Sequence, residues 1–173
     1  TTLFRSSRKN TAPCIAYISF KLAQLDPDAV FVVAPSDHLI LEEEAFQQTA
    51  LQALDFVENI KSLVTLGIKP THPNTGYGYI QYEGHEVANG VYKVKTFTEK
   101  PDLEIAKTFI ASGDFLWNAG IFAWKASTIL AALSPRFAAA SNFDFRAETV
   151  AISAIEKIPF SNISNIISRI SMC

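Results

Sequence analysis

The chain has 173 residues, 49% hydrophobic and 18% charged, which suits one globular domain with a sizeable core and excludes the disordered and fibrous classes. Fifteen Lys and Arg against seventeen Asp and Glu give a formal net charge of -2. That is too little positive field to hold nucleic acid or an anionic membrane surface, so a bound anion must be met by local groups. Cys14 and Cys173 lie at opposite ends, with neither a signal peptide nor an apolar span of roughly 20 residues, so reduced thiols and a cytoplasmic protein are expected.

Residues 1–9 lack periodicity and read as an irregular lead-in. Asn10-Thr11-Ala12-Pro13 predicts a helix start, with a capping side chain and a proline tolerated in the first turn. Ile15, Ile18, Leu22 and Leu25 then share one helical face until Asp26-Pro27 ends the helix. Residues 30–34, VFVVA, are apolar on both faces, as expected of a central parallel strand, and Pro35-Ser36-Asp37-His38 breaks the run. A helix follows over 42–60, with Phe46, Ala50, Ala53, Val57 and Ile60 at helical spacing and acids in its first turn.

A second apolar strand is predicted over 62–68 and a proline-containing loop over 69–75. Residues 76–82 and 91–98 then read as paired antiparallel strands joined by a polar turn over 83–90. Asp102 is placed to cap a helix whose Leu103, Ala106 and Ile110 face the core, and Gly113 to close it. Residues 119–124 form another strand, 126–133 and 144–157 two more helices, and 135–173 a helical tail. Strands alternating with helices predict an α/β fold with a mixed, mainly parallel sheet flanked by helices, in one domain with no linker.

In open α/β sheets ligands bind beyond the carboxyl ends of strands, which directs attention to the polar residues that follow each run. Asp37 is either a turn cap or one carboxylate of a Mg²⁺ site whose other ligands are phosphate oxygens and water. His38 has no partner at metal-ligand spacing and reads as structural. Gly76-Tyr77-Gly78 is either a bend or a place where backbone comes close to an anion or a sugar hydroxyl.

Glu99-Lys100-Pro101 carries the most chemistry. The proline disfavours the helical region for Lys100 and predicts an extended residue at a strand end. There the ammonium can meet a phosphate while Glu99 accepts from hydroxyls. The alternative is an exposed ion pair of little worth to stability. Trp117-Asn118-Ala119-Gly120 is either a tight turn into a strand or a carboxamide that ligand can reach past small residues.

Taken in order, RKNTAP (8–13), VVAPSDH (32–38), NTGYGYI (74–80), FTEKPD (97–102) and WNAGIFAW (117–124) resemble successive motifs of the bacterial mannose-1-phosphate guanylyltransferases. These are sugar nucleotidyltransferases with a Rossmann-like domain, and the resemblance runs from about Arg8 to about Ser134. It implies transfer of GMP from GTP to mannose 1-phosphate, giving GDP-mannose and pyrophosphate with Mg²⁺. By the same resemblance Asp37 is a metal ligand and Lys100 grips the sugar phosphate. Glu99 and Asn118 contact the sugar, Gly76 offers it a backbone N–H, and Asn10 and Thr11 lie near the nucleotide.

Three family features have no counterpart here: the opening strand with its glycine-rich, arginine-bearing triphosphate loop, the glutamate-proline pair before RKNTAP (Phe4-Arg5-Ser6-Ser7 stand there), and a second metal-binding aspartate further along. The expectation is therefore the central part of a larger enzyme, truncated at both ends and inactive by itself. Two alternatives stand beside it: another NDP-sugar pyrophosphorylase, such as one acting on glucose 1-phosphate, and a non-catalytic remnant that binds sugar phosphate. Self-association is left open by the sequence.

Overall fold

The computed structural model describes residues 11–133 and 149–153. The expected lead-in over 1–9, the capping residue Asn10 and most of the expected tail lie outside them. Helix α1, Thr11–Leu25, carries Pro13 in its first turn, where the missing N–H costs nothing. Its apolar stripe fades along its length: Ile15 is buried, Ile18 and Leu22 are half-buried, and Leu25 is 86% exposed. β1 is Val30–Val33, α2 Glu43–Asn59 and β2 Leu63–Ile68. Every residue of β2 is buried, and Ala53 and Val57 of α2 are fully enclosed, whereas Ile60 follows the helix as its exposed C-cap.

β3, Gly78–Ala88, and β4, Val91–Glu99, form the predicted antiparallel hairpin. The chain reverses at Asn89-Gly90, and Gly90 takes the positive φ of 67° that such a tight turn demands. The polar stretch over 83–88, expected as a turn, is instead strand; its polarity reflects solvent exposure of the outer hairpin. Helix α3, Leu103–Ser112, is capped as expected. The Asp102 carboxylate accepts from the Ile105 N–H at 2.9 Å, and Gly113 closes the helix in the left-handed region. Its core face is Ala106, Phe109 and Ile110; Leu103, expected to face inward, is 47% exposed on the first turn. Phe109 stacks on Phe115 at a centroid distance of 3.9 Å.

β5, Phe115–Lys125, and α4, Ala126–Leu133, follow directly on one another. β6, Thr149–Ser153, falls where a helix over 144–157 was expected. β2 is buried throughout and has backbone to satisfy on both edges, and the β-branched Thr149, Val150 and Ile152 suit the strand that pairs with one of them.

Among the described residues the six strands run in the order β1-β5-β2-β6-β4-β3, and β3 also pairs with β5, so the sheet curls back on itself. The sheet is mixed as expected, but it is not mainly parallel among the described residues, where only β2 and β6 pair in parallel. β1 and β2 do run the same way, as their helical connection through α2 requires, but β5 lies antiparallel between them. β1 is consequently half-buried and not a central parallel strand.

One face of the sheet packs Val64, Leu66, Tyr79, Trp117 and Ile121 beneath α2 and α3. The other packs Leu63 and Trp124 with Ile15 of α1 and Ile129 of α4. Alternate residues of β5 thus serve two cores, with the even-numbered Asn118, Gly120, Phe122 and Trp124 on the α1 and α4 side.

Candidate active site

Gly78 opens β3 directly opposite Glu99, the last residue of β4. A Cβ at Gly78 would stand 2.8 Å from Glu99 Oε2, so the absence of a side chain is what lets the carboxylate lie across the strand. The same point is 3.5 Å from Cβ and 3.8 Å from Nδ2 of Asn118. A carboxylate that can only accept and a carboxamide that can donate therefore converge over one glycine, as recognition of vicinal hydroxyls requires.

The strand expected over 119–124 begins earlier, so Asn118, left open as a tight turn or a ligand-facing carboxamide, lies inside β5. Its position is set by a bulge. Thr65 pairs with Phe122 and Gly67 with Asn118, so two steps along β2 face four along β5. Gly120 absorbs the excess at φ 68°, with Pro35 of the loop after β1 packed 3.4 Å from where its Cβ would be. Asn118 Oδ1 accepts the Gly120 N–H at 3.0 Å and the Thr65 hydroxyl at 3.3 Å. Nδ2 has no hydrogen-bond partner among the described residues and is the amide's free donor.

Lys100 is not extended. Its φ of 45° makes it the sole non-glycine residue in positive φ among those described. Proline at 101 discourages the right-handed helical region but leaves the left-handed one to a chain that must turn sharply between Glu99 and the cap Asp102. The Lys100 N–H donates to the Tyr77 carbonyl at 3.2 Å, tying this turn to the glycine-rich segment, and Pro101 behind it is buried. Backbone strain of this kind gathers at ligand-binding turns. The ammonium lies 3.5 Å from Glu99 Oε1, with both side chains mostly exposed, so the pair adds little stability and is open to a ligand.

The loop over 69–77 is anchored by aromatic residues. The buried Tyr79 hydroxyl donates to the Asn74 carbonyl and accepts the Asn74 N–H, both at 3.0 Å. Trp117 holds His72 and Tyr77 edge-on, each at 5.0 Å. The Gly76 N–H is engaged by Asn74 Oδ1 at 2.7 Å, so Asn74 must turn aside before Gly76 can serve a ligand.

Asp37 lies two residues beyond Pro35, exposed, without an ion pair or hydrogen bond to Glu99, Lys100 or Asn118. No group of three or more metal-ligating side chains occurs among the described residues. A single exposed carboxylate suits a hard cation that arrives with phosphate oxygens, not one held in a protein cage. Asn10 lies outside the described residues, and Thr11 opens α1. Thr65 escaped the sequence reading, although a lone polar residue inside the apolar run LVTLGI was a signal of it. A cleft of about 770 Å³ extends from Thr65, Asn118 and Gly120 along Pro35, Phe97 and Phe122 beneath α1 and α4.

An α/β domain whose curled, mixed sheet brings Glu99, Lys100 and Asn118 to the end of a hairpin and a bulged strand describes a nucleotidyltransferase-type fold. The family model described as Nucleotidyl transferase matches residues 1–140, and the chain belongs to that family. It is 42% identical over 124 residues to the mannose-1-phosphate guanylyltransferase RfbM of Salmonella typhimurium, covering 70% of this chain and 26% of that protein. It is 44% identical over 128 residues to the xanthan biosynthesis protein XanB of Xanthomonas campestris pv. campestris, covering 74% and 27%. Among solved structures, one described as mannose-6-phosphate isomerase from Helicobacter pylori superposes with a TM-score of 0.65 at 32% identity, over 86% of this chain and 59% of that one. The chain thus spans about a quarter of the length of the curated relatives it matches. No helix among the described residues is long and apolar enough to cross a membrane.

Proposed function

We propose that this chain supplies the sugar-phosphate side of a mannose-1-phosphate guanylyltransferase site, for transfer of GMP from GTP to mannose 1-phosphate. The observation that carries the reading is the convergence of Glu99 and Asn118 over Gly78, with the Lys100 ammonium beside the carboxylate. Glu99 accepts from hexose hydroxyls, the free Asn118 Nδ2 donates to one, and Lys100 meets the phosphate at C1. Gly76 adds a backbone donor once Asn74 releases it.

A phosphate oxygen of the bound sugar then forms a bond to the α-phosphorus of GTP as the bond from that phosphorus to the bridging oxygen breaks, and pyrophosphate leaves. Lys100 offsets charge on the attacking phosphate, and the fixed sugar holds that oxygen in line; in phosphoryl transfer, positioning and electrostatics do most of the work. Asp37 is the residue that would hold Mg²⁺ together with phosphate oxygens, and the ion supplies charge neutralisation when bound. Thr11, with Asn10 before it, is assigned to the nucleotide side. The phosphorylated substrates are cytosolic metabolites, so this reading implies a cytoplasmic protein.

Calorimetric titration of the chain with mannose 1-phosphate, glucose 1-phosphate and unphosphorylated mannose tests the reading. Mannose 1-phosphate should bind most tightly, and mannose at least about tenfold more weakly because the charge-assisted contact to Lys100 is lost. Equal binding of mannose and mannose 1-phosphate would remove Lys100 from the site. Tighter binding of glucose 1-phosphate would reassign the substrate.

A further inference from the structure

The geometry assigns Thr65 a role that deepens this reading and rests on it: it is a positioning residue that fixes which way the Asn118 carboxamide faces. A fully buried position in a strand as apolar as LVTLGI would be filled by valine at no polar cost, yet Thr65 is 1% exposed and carries a hydroxyl. Among the described residues both acceptors within its reach belong to the β5 bulge, Asn118 Oδ1 at 3.3 Å and the Ile121 carbonyl at 3.5 Å, one on each side of Gly120. A backbone N–H can only donate, so the Gly120 contact at 3.0 Å identifies the facing atom of Asn118 as oxygen.

With that oxygen turned to Gly120, the Thr65 hydroxyl can approach Asn118 only as a donor. Two donors on Oδ1 leave the amide NH₂ on the side of Gly78 and Glu99, where its Nδ2 lies 3.8 Å from the Gly78 Cβ position. A rotated carboxamide would set its NH₂ against the Gly120 N–H, donor against donor. With Thr65 lost, one anchor of two remains, and the side chain samples more of its broad final torsion. Thr65 touches no substrate in this arrangement; it acts through Asn118.

The test compares wild type with Thr65→Val, which keeps the shape and loses the hydroxyl, and Thr65→Ser, which keeps the hydroxyl and loses a methyl. Mannose 1-phosphate affinity is read by calorimetry, fold by thermal melting, and the Asn118 side-chain amide pair by ¹⁵N–¹H NMR. Thr65→Val should bind about three- to tenfold more weakly, the value of roughly one hydrogen bond, without a fall in melting temperature, and its Asn118 amide signals should shift or broaden. Thr65→Ser should melt lower yet bind within about twofold of wild type, a separation that a purely structural threonine would not produce. Unchanged Asn118 signals in Thr65→Val, or equal losses of affinity in both variants, would overturn the assignment. A wild-type chain that fails to bind mannose 1-phosphate would overturn the sugar-phosphate reading, while the NMR comparison would still decide the role of Thr65.

Discussion

Replacing Gly78 by alanine should damage binding while leaving the fold intact or slightly firmer. Gly78 is not in positive φ, so alanine can adopt its backbone conformation, and a residue with a Cβ is favoured over glycine within a strand by roughly 0.5–1 kcal/mol. The new methyl would stand at an ordinary 3.5 Å from Asn118 Cβ but only 2.8 Å from Glu99 Oε2. Glu99 yields, because its side chain is 72% exposed and its contact with Lys100 is a surface ion pair worth about 0–1 kcal/mol. Stability should therefore hold within about 1 kcal/mol, a melting shift of no more than about 2–4 °C for a chain of this size. Binding should suffer more. A carboxylate that accepts from hydroxyls contributes about 1.5–3 kcal/mol, so its displacement should weaken mannose 1-phosphate by roughly ten- to a hundredfold. Calorimetry beside differential scanning calorimetry measures both. Unchanged affinity would show that Glu99 does not hold the sugar where the cross-strand geometry puts it, and a melting temperature lower by 8 °C or more, against the ~2–4 °C allowed above, would show that Gly78 serves the fold instead.

The strained turn at Lys100 separates charge from conformation. Lys100→Ala and Lys100→Gly should both lose mannose 1-phosphate affinity by at least about tenfold, but the glycine variant should be more stable than the alanine one by about 1 kcal/mol, since glycine accepts φ 45° without penalty. Equal stabilities in urea unfolding would mean that the turn relaxes at no cost. Asp114 sets a pH dependence. Its carboxylate accepts from the Ser112 hydroxyl at 2.6 Å and the Gln81 carboxamide at 2.7 Å, and these contacts, aided by Lys95, hold it below the usual carboxylate range. A carboxyl whose pKa is lower when folded contributes stability above its unfolded value, near 4, and loses it as pH falls through the folded one. Asp114→Asn should thus melt about 2–4 °C below wild type at pH 7, with the gap closing under acid below about pH 4. A gap that does not narrow at all as pH falls below about 4 would refute the attribution to charge.

The parts of the fold that were legible in the sequence are those whose causes are local. Asp102 and Gly113 bracket α3 because a cap needs one side chain and one permissive backbone residue, both visible within a few positions. The placement of Glu99 and Lys100 at a strand end was legible for the same reason, and the glycine at 78 marks a close approach. Strand neighbours were not legible, because pairing joins residues far apart along the chain. The run VFVV reads as central until β5 is found to be its partner, and TVAIS over 149–153 lies in a stretch whose flanks suggest a helix. The conformation of Lys100 was not legible for a different reason. The rule about residues before proline says which region is avoided, whereas the buried Pro101 and the cap at Asp102 decide which of the remaining regions is used.

That difference bears on how the site is assembled. Read along the chain, the polar residues sit after strands, and a ligand beyond the carboxyl ends of a parallel sheet follows. In the structure the junction is one long antiparallel strand. β5 pairs with β3 through 115–117, with β2 on either side of the bulge, and with β1 through 122–125. The bulge therefore lies where three other strands are brought together, and each contributes through it: Thr65 fixes Asn118, Pro35 packs on Gly120, and Gly78 leaves room for Glu99. An insertion or deletion within 119–121 would leave Asn118 opposite Gly67 but shift Phe122 and the residues after it against Thr65, breaking the Thr65 and Gly120 contacts that hold Asn118 Oδ1. It should then abolish sugar-phosphate binding even where β5 still pairs, because a one-residue slip turns every later side chain to the opposite face.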